Sequence, residues 1–190
     1  YYMNCETCRA CQPTRVLLSE FRLTKSLMRV KKKADAVLEC RFGPAQVDLA
    51  RVELYNKHRL LRGLGDDGTI AGVVEYQEFL VDSCCETLEL SYYHEGSLIA
   101  CTIIDAGHES LSAVYTYFDP AYSKLSIGTY SVIRLIEHAK AAGMQYVYLG
   151  LYVAKNPHLK YKARFAPQER LINQQWVRFE EPSEDWFQAT

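Results

Sequence analysis

Residues 111–153 read LSAVYTYFDPAYSKLSIGTYSVIRLIEHAKAAGMQYVYLGLYV, and their order decides the fold. Leu111–Phe118 is a short run of aromatic and β-compatible residues, apolar on both faces, which predicts a strand inside a sheet. Asp119-Pro120 breaks it. Over 123–142 the spacing turns helical: Gly128, Val132, Leu135, Ile136 and Ala139 share one face, and Gly143 supplies a helix end. Met144–Val153 is a further apolar strand. A strand, a long helix and a second strand make a crossover, and such a crossover joins parallel strands.

Working outward, Leu88–Tyr93, a turn at Glu95-Gly96 and Ser97–Ile104 read as an antiparallel pair. Leu171–Phe179 reads as a last strand. Helical spacing marks 46–62 and a shorter stretch at 75–82. Residues 1–15 are cysteine- and turn-rich, and 16–41 mix apolar and basic residues. The expected organisation is therefore a cysteine-rich, basic segment over 1–41 and a domain over 42–190. The expected fold class is α+β: a mostly antiparallel sheet with a helix crossover and one splayed parallel pair, carrying a cysteine-rich N-terminal appendage. That element order resembles the GNAT acyltransferase core.

Charge is unevenly placed. Residues 1–41 hold nine Lys/Arg against four Asp/Glu, 42–154 hold seven against fourteen, and 155–179 hold six against one. Two basic segments flank an acidic middle, and if they meet in space they form a phosphate-binding face. No apolar run is long enough to span a membrane, and no secretory signal is visible, so a cytoplasmic location and reduced cysteines are expected. Of the seven cysteines, Cys5, Cys8 and Cys11 form two overlapping Cys-x-x-Cys spacings, a geometry suited to a metal or a cluster.

Several stretches taken in order resemble the arginyl/leucyl-tRNA–protein transferase family. They are Cys5-x-x-Cys8-Arg9-x-Cys11-x-Pro13-x-Arg15, Ser112–Pro120, Lys124-Leu-Ser-Ile-Gly-Thr-Tyr130, Tyr148-Leu-Gly-Leu-Tyr152, Asn156-Pro157 and Lys160-Tyr161-Lys162. The chain is expected to lack part of that family's N-terminal domain. The resemblance implies transfer of arginine or leucine from a charged tRNA to the N-terminal amine of proteins that begin with Asp or Glu, marking them for degradation. It also implies either an iron–sulfur cluster or a bare structural knot at Cys5, Cys8 and Cys11, with zinc the other metal such spacing can hold; the chemistry itself requires no cofactor.

An aminoacyl ester is already activated, so the enzyme's main task is to hold a neutral amine against the carbonyl. Asp119, at the end of the central strand, is the candidate carboxylate for the ammonium, with Tyr115 beside it and Tyr117 along the same strand. Ser126 and Gly128 open a helix whose N–H groups can meet an anion. Arg9, Arg15, Lys160, Lys162 and Arg164 are candidate grips for phosphate or for the acceptor's acidic side chain, and Tyr161 can stack on the terminal adenine. Rival readings are an acetyl-CoA-dependent acetyltransferase, a non-catalytic RNA-binding module, and a peptidoglycan aminoacyltransferase.

Overall fold

A computed structural model describes residues 8, 10–64 and 68–181. Its strands are β1 (Gln12–Leu17), β2 (Glu39–Pro44), β3 (Glu86–His94), β4 (Ser97–Ala106), β5 (Ser110–Phe118), β6 (Tyr146–Tyr152), β7 (Gln168–Ile172) and β8 (Gln175–Phe179). Its α-helices are α1 (Lys25–Asp35), α2 (Leu49–Leu61), α3 (Val73–Leu80) and α4 (Ile127–Ala141), with short 3-10 helices at Pro120–Leu125 and Lys160–Arg164. The strands form one eight-stranded sheet in the order β2-β3-β4-β5-β6-β1-β7-β8. Every neighbouring pair is antiparallel except β5 and β6, which are parallel and joined by α4.

The expected α+β crossover is present, and the parallel pair does splay. Pairing between β5 and β6 is confined to Ser110–Ser112 opposite Tyr146–Tyr148, and the strands run on without bonding beyond it. Both strands carry irregularities near the parting. The β4–β5 register slips between Ile103 and Ile104, and the β1–β6 register slips opposite Gly150, whose φ is +72°. A glycine reaches that backbone conformation without the Cβ clash other residues meet, and bulges of this kind bend a strand away from its partner.

Two cores sandwich the sheet. On one face α1 and α4 pack with Val16, Phe21, Leu27, Leu90, Leu111, Ile133, Ile136 and Phe165. On the other, α2 and α3 pack Val52, Leu54, Tyr55 and Tyr76 against Cys101, Ile103 and Tyr117. Beneath α2, Arg51 is buried and ion-paired with Glu89, itself buried, and with Asp48.

Three expectations change. The boundary at residues 41/42 falls inside β2, and β1 is an interior strand between β6 and β7, so the chain from Gln12 onward shares the sheet instead of standing apart. Basic residues over 25–33 masked α1: Thr24 caps it by accepting the Leu27 N–H, and Leu27 and Ala34 are its buried stripe. The single strand read over 171–179 is a hairpin, turning at Asn173 and Gln174, both at positive φ as a tight antiparallel turn requires.

Candidate active site

The parting of β5 and β6 opens a cleft of about 330 Å³. Ala113, Val114, Tyr115, Thr116 and Phe118 of β5 form one wall and Leu149 and Gly150 of β6 the other. The first turns of α4 (Ile127 to Val132) form the floor, and His58, Arg62, Leu64, Pro157, His158, Leu159, Tyr161 and Lys162 close its mouth and sides. In α/β sheets such a gap outside the strand ends is where ligands bind.

Lys162 is the most unusual of these side chains. It is buried, and its ammonium donates to the Leu151 carbonyl at 2.8 Å with no carboxylate partner among the described residues. Burial lowers its pKa from the ordinary lysine value to about 8. The Lys162 ammonium lies 3.6 Å from where a Cβ on Gly150 would sit, an ordinary contact distance, so what Gly150 supplies at this point is its left-handed backbone.

His58, from α2, was not singled out in the sequence. It is buried, with Nδ1 set between the Phe118 N–H (3.1 Å) and the Phe118 carbonyl oxygen (2.9 Å). Burial, with the nearby Arg62 charge adding to it, brings its pKa down to about 4, so the ring is neutral at physiological pH. Arg62 follows it by one helical turn, stands over the Phe118 ring at 5.3 Å, and meets His158 Nδ1 at 2.9 Å. It too has no carboxylate partner among the described residues. Helical spacing placed 46–62 on a helix, but nothing in the sequence said which of its polar residues would face a cleft made by strands sixty residues away.

Of the residues singled out in the sequence, Tyr115, Ser126, Gly128, Tyr161 and Lys162 line the cleft together. Ser126 is at φ +55° and opens α4 without a side-chain capping bond, leaving the helix N–H groups to the cleft. Tyr161 stands over Gly128, its hydroxyl 3.8 Å from where a Cβ would be. The structure places the others elsewhere. Asp119 is not among the lining residues: it caps the 3-10 helix by accepting the Ala121 N–H at 3.0 Å and is paired with Lys57 at 2.7 Å. Burial opposes its ionisation, yet Lys57 and the Ala121 N–H hold its pKa below the ordinary aspartate value. Tyr117 is wholly buried on the α2 side, its hydroxyl 2.6 Å from that of Tyr76. Tyr115 and Tyr117, two residues apart on β5, share the α2 face and both stand edge-on to the Tyr55 ring, with Tyr117 the deeper of the two in that core.

Arg15 lies between the Tyr146 and Trp176 rings and bonds Glu169 and Tyr148, so its guanidinium is already engaged. Arg164 reaches Ser26 on α1 at 3.5 Å, and Lys160 begins the 3-10 helix beside Tyr161. Cys5 and Arg9 lie outside the described residues. Cys8 is exposed and Cys11 half-buried, and no group of three metal-binding side chains occurs among the described residues. The third cysteine of that motif, Cys5, is one of the residues outside that description, and the chemistry below uses neither Cys8 nor Cys11.

A splayed parallel pair around a helix N-terminus gives the chain a GNAT-like fold. Solved structures agree at the level of the fold: L-PGS from Bacillus licheniformis superposes with a TM-score of 0.58 at 13% identity, covering 80% of this chain and 50% of that one. A fungal GCN5-related glucosamine N-acetyltransferase region superposes at 0.52 and 11% identity, covering 88% of this chain and 20% of that one. Within that fold the chain belongs to the arginine-tRNA-protein transferase family, whose C-terminal model matches residues 50–172. Relatives include an aspartate/glutamate leucyltransferase of Sinorhizobium medicae, 33% identical over 94% of this chain and 73% of its own length. Another is that of Acinetobacter baumannii, 30% identical over 94% of this chain and 66% of its own length. The chain thus spans 66% to 73% of the length of these relatives. Among the described residues no helix is long and apolar enough to cross a membrane.

Proposed function

We propose that this chain transfers an amino acid, leucine in preference to arginine, from its tRNA ester to the N-terminal amine of a protein beginning with Asp or Glu. The observation that carries this reading is the character of the cleft wall. None of its described lining residues is a carboxylate; its charged groups are basic, and Ala113, Val114, Ile127, Val132, Leu135 and Leu149 supply apolar surface. A guanidinium side chain entering there would be desolvated without a partner, at a cost of several kcal/mol, whereas an isobutyl group gains by burial. The N-terminal turn of α4, with its exposed N–H groups and positive dipole end, suits the last phosphodiester of the donor.

The reaction needs little besides alignment. The amine nitrogen bonds to the ester carbonyl carbon, the bond from that carbon to the terminal ribose oxygen breaks, and the proton shed by the nitrogen ends on the departing oxygen. Alignment of the two reactants supplies about 7–11 kcal/mol. Lys162, with a pKa of about 8, has a neutral fraction that can take the amine's proton and return it to the ribose oxygen. Arg62, a guanidinium at the mouth that meets His158 and no carboxylate among the described residues, is placed to receive the acceptor's Asp or Glu side chain. The product then carries a bulky apolar residue at its N-terminus, the degradation mark that the family resemblance implies, and we assign this work to the cytoplasm as part of the same proposal.

The test is to incubate the protein with leucyl-tRNA and peptides beginning with Asp, Glu, Asn or Ala and to weigh the products. One added leucyl residue on the Asp and Glu peptides supports the reading; no mass gain on any peptide overturns it.

A further inference from the structure

The helix α1 was read in the sequence only as part of a stretch mixing apolar and basic residues, and none of its residues lines the cleft. Its buried stripe is Leu27 and Ala34, and Val30 packs against the same core. Lys25, Arg29, Lys32 and Lys33 are spaced i, i+4, i+7 and i+8, so they share the opposite face, and all four are exposed. No acid lies on that face. The helix's own carboxylate, Asp35, is turned aside to Lys31 and to the Tyr130 hydroxyl. Lys25, Arg29 and Lys32 make no hydrogen bond or ion pair among the described residues. Four like charges held on one face repel one another by a few tenths of a kcal/mol per pair, so the row is useful only when an anion meets it.

Both ends of α1 are tied to the cleft. Near its start Ser26 is reached by Arg164, whose 3-10 helix also holds Tyr161 and Lys162 of the cleft wall. Near its end Lys33 donates to the Lys124 carbonyl at 2.8 Å, in the 3-10 helix that runs through Ser123 to Ser126 and so into the cleft floor. Exposed Lys124 extends the row toward α4. An eleven-residue helix is about 16 Å long. A nucleic-acid duplex carries about one charge per 1.7 Å of axis, so several phosphates fit along it.

We propose that the exposed face of α1, with Lys124 and Arg164 at its ends, is the docking surface for the base-paired stem of the donor tRNA. It grips the stem through its phosphates without reading sequence and directs the single-stranded 3′ end into the cleft. This rests on the tRNA-donor reading above and adds where the rest of the molecule lies.

The test uses the full chain and the triple variant Lys25→Gln/Arg29→Gln/Lys32→Gln, whose exposed positions and good helix propensity keep α1 formed. Binding of uncharged tRNA is titrated at several salt concentrations. Transfer is measured with two donors, leucyl-tRNA and 3′-leucyl-adenosine, which has no stem. The expected result is a log–log salt slope flattened by about three units, at least tenfold weaker tRNA binding, and unchanged transfer from leucyl-adenosine. An unaltered slope overturns the docking surface. So does equal loss with both donors, which would mean that α1 supports the cleft. So does binding by the parent, but not by the variant, to vesicles of phosphatidylglycerol with tRNA affinity the same in both, which would make the row a membrane surface. Failure of the parent to use either donor would instead strike at the transferase reading.

Discussion

Two of the buried cations among the described residues, Arg51 and Lys162, are held in opposite ways. Arg51, on the buried side of α2, is closed in by Glu89 and Asp48 and donates a fixed set of charge-assisted bonds to them. Lys162, at the β5–β6 parting, has a backbone carbonyl for a partner and a cleft beside it. Both are nearly inaccessible, so desolvation penalises both. The Glu89 and Asp48 charges outweigh that penalty for Arg51 and raise its pKa; nothing outweighs it for Lys162, whose pKa falls. A buried cation with its counter-charge holds the fold together. A buried cation without one lowers stability, and its persistence in a cleft points to use.

The largest effect expected of any change to this pair is at Arg51. Arg51→Met leaves Glu89 buried and uncompensated and is expected to lower unfolding free energy by about 3–5 kcal/mol, measured by urea titration. The double variant Arg51→Met/Glu89→Leu is expected to recover most of that loss. If the double variant is no more stable than the single, the pair is not what burial makes costly.

Lys162→Met is expected to do the reverse: a more stable protein with transfer slowed by about a hundredfold. The sign follows from the pKa. In the folded protein Lys162 titrates near 8, below its unfolded value near 10.5, so its penalty is fully present below pH 8 and fades as pH rises toward 10.5. The stability gap between variant and parent is therefore expected to be up to about 3 kcal/mol at pH 7 and to close above pH 8. Lys162→Arg keeps the charge but not the titration. If it keeps the parent's rate, the lysine acts as a fixed charge and not as a proton carrier.

His58 mirrors this on the acid side. A neutral folded ring with a pKa of about 4, against about 6.5 unfolded, makes stability fall as pH drops from 6.5 to 4, by up to about 3 kcal/mol. His58→Gln should remove that component from the acid-unfolding curve; an unchanged curve would show that carboxylates alone account for it. A smaller effect is expected at the cleft mouth. Arg62→Gln should raise KM for Asp peptides about tenfold and leave Asn peptides unaffected, erasing most of the preference. The smallest belongs to Gly128. A Cβ there meets Tyr161 only at ordinary contact distance, so Gly128→Ala should add up to about 1 kcal/mol of stability with transfer nearly unchanged.

The crossover was legible because it is written locally: Leu111–Phe118, the 123–142 periodicity and Met144–Val153 each carry their own signal, and parallel pairing follows from their order. β1 was not legible. Pro13, Thr14 and Arg15 look like loop residues, and only pairing with β6 and β7 makes them a strand. In the site, Ser126, Gly128, Tyr161 and Lys162 were found because they lie next to the crossover or on the segment that follows it. His58 and Arg62 were missed because their meaning comes from a strand sixty residues away. Asp119 and Tyr117 show the converse: a good position in sequence, next to a cleft, with the side chain committed to a cap and to a core.

The most direct measurement is a donor competition. Leucyl-tRNA and arginyl-tRNA are supplied in equal amounts with one peptide beginning with Asp, and the products are weighed as the reaction proceeds. A cleft wall without carboxylates among its described residues leads to leucyl product in excess by at least tenfold, the discrimination expected when one side chain gains by burial and the other loses its solvation. Arginyl product in equal or greater amount would contradict it.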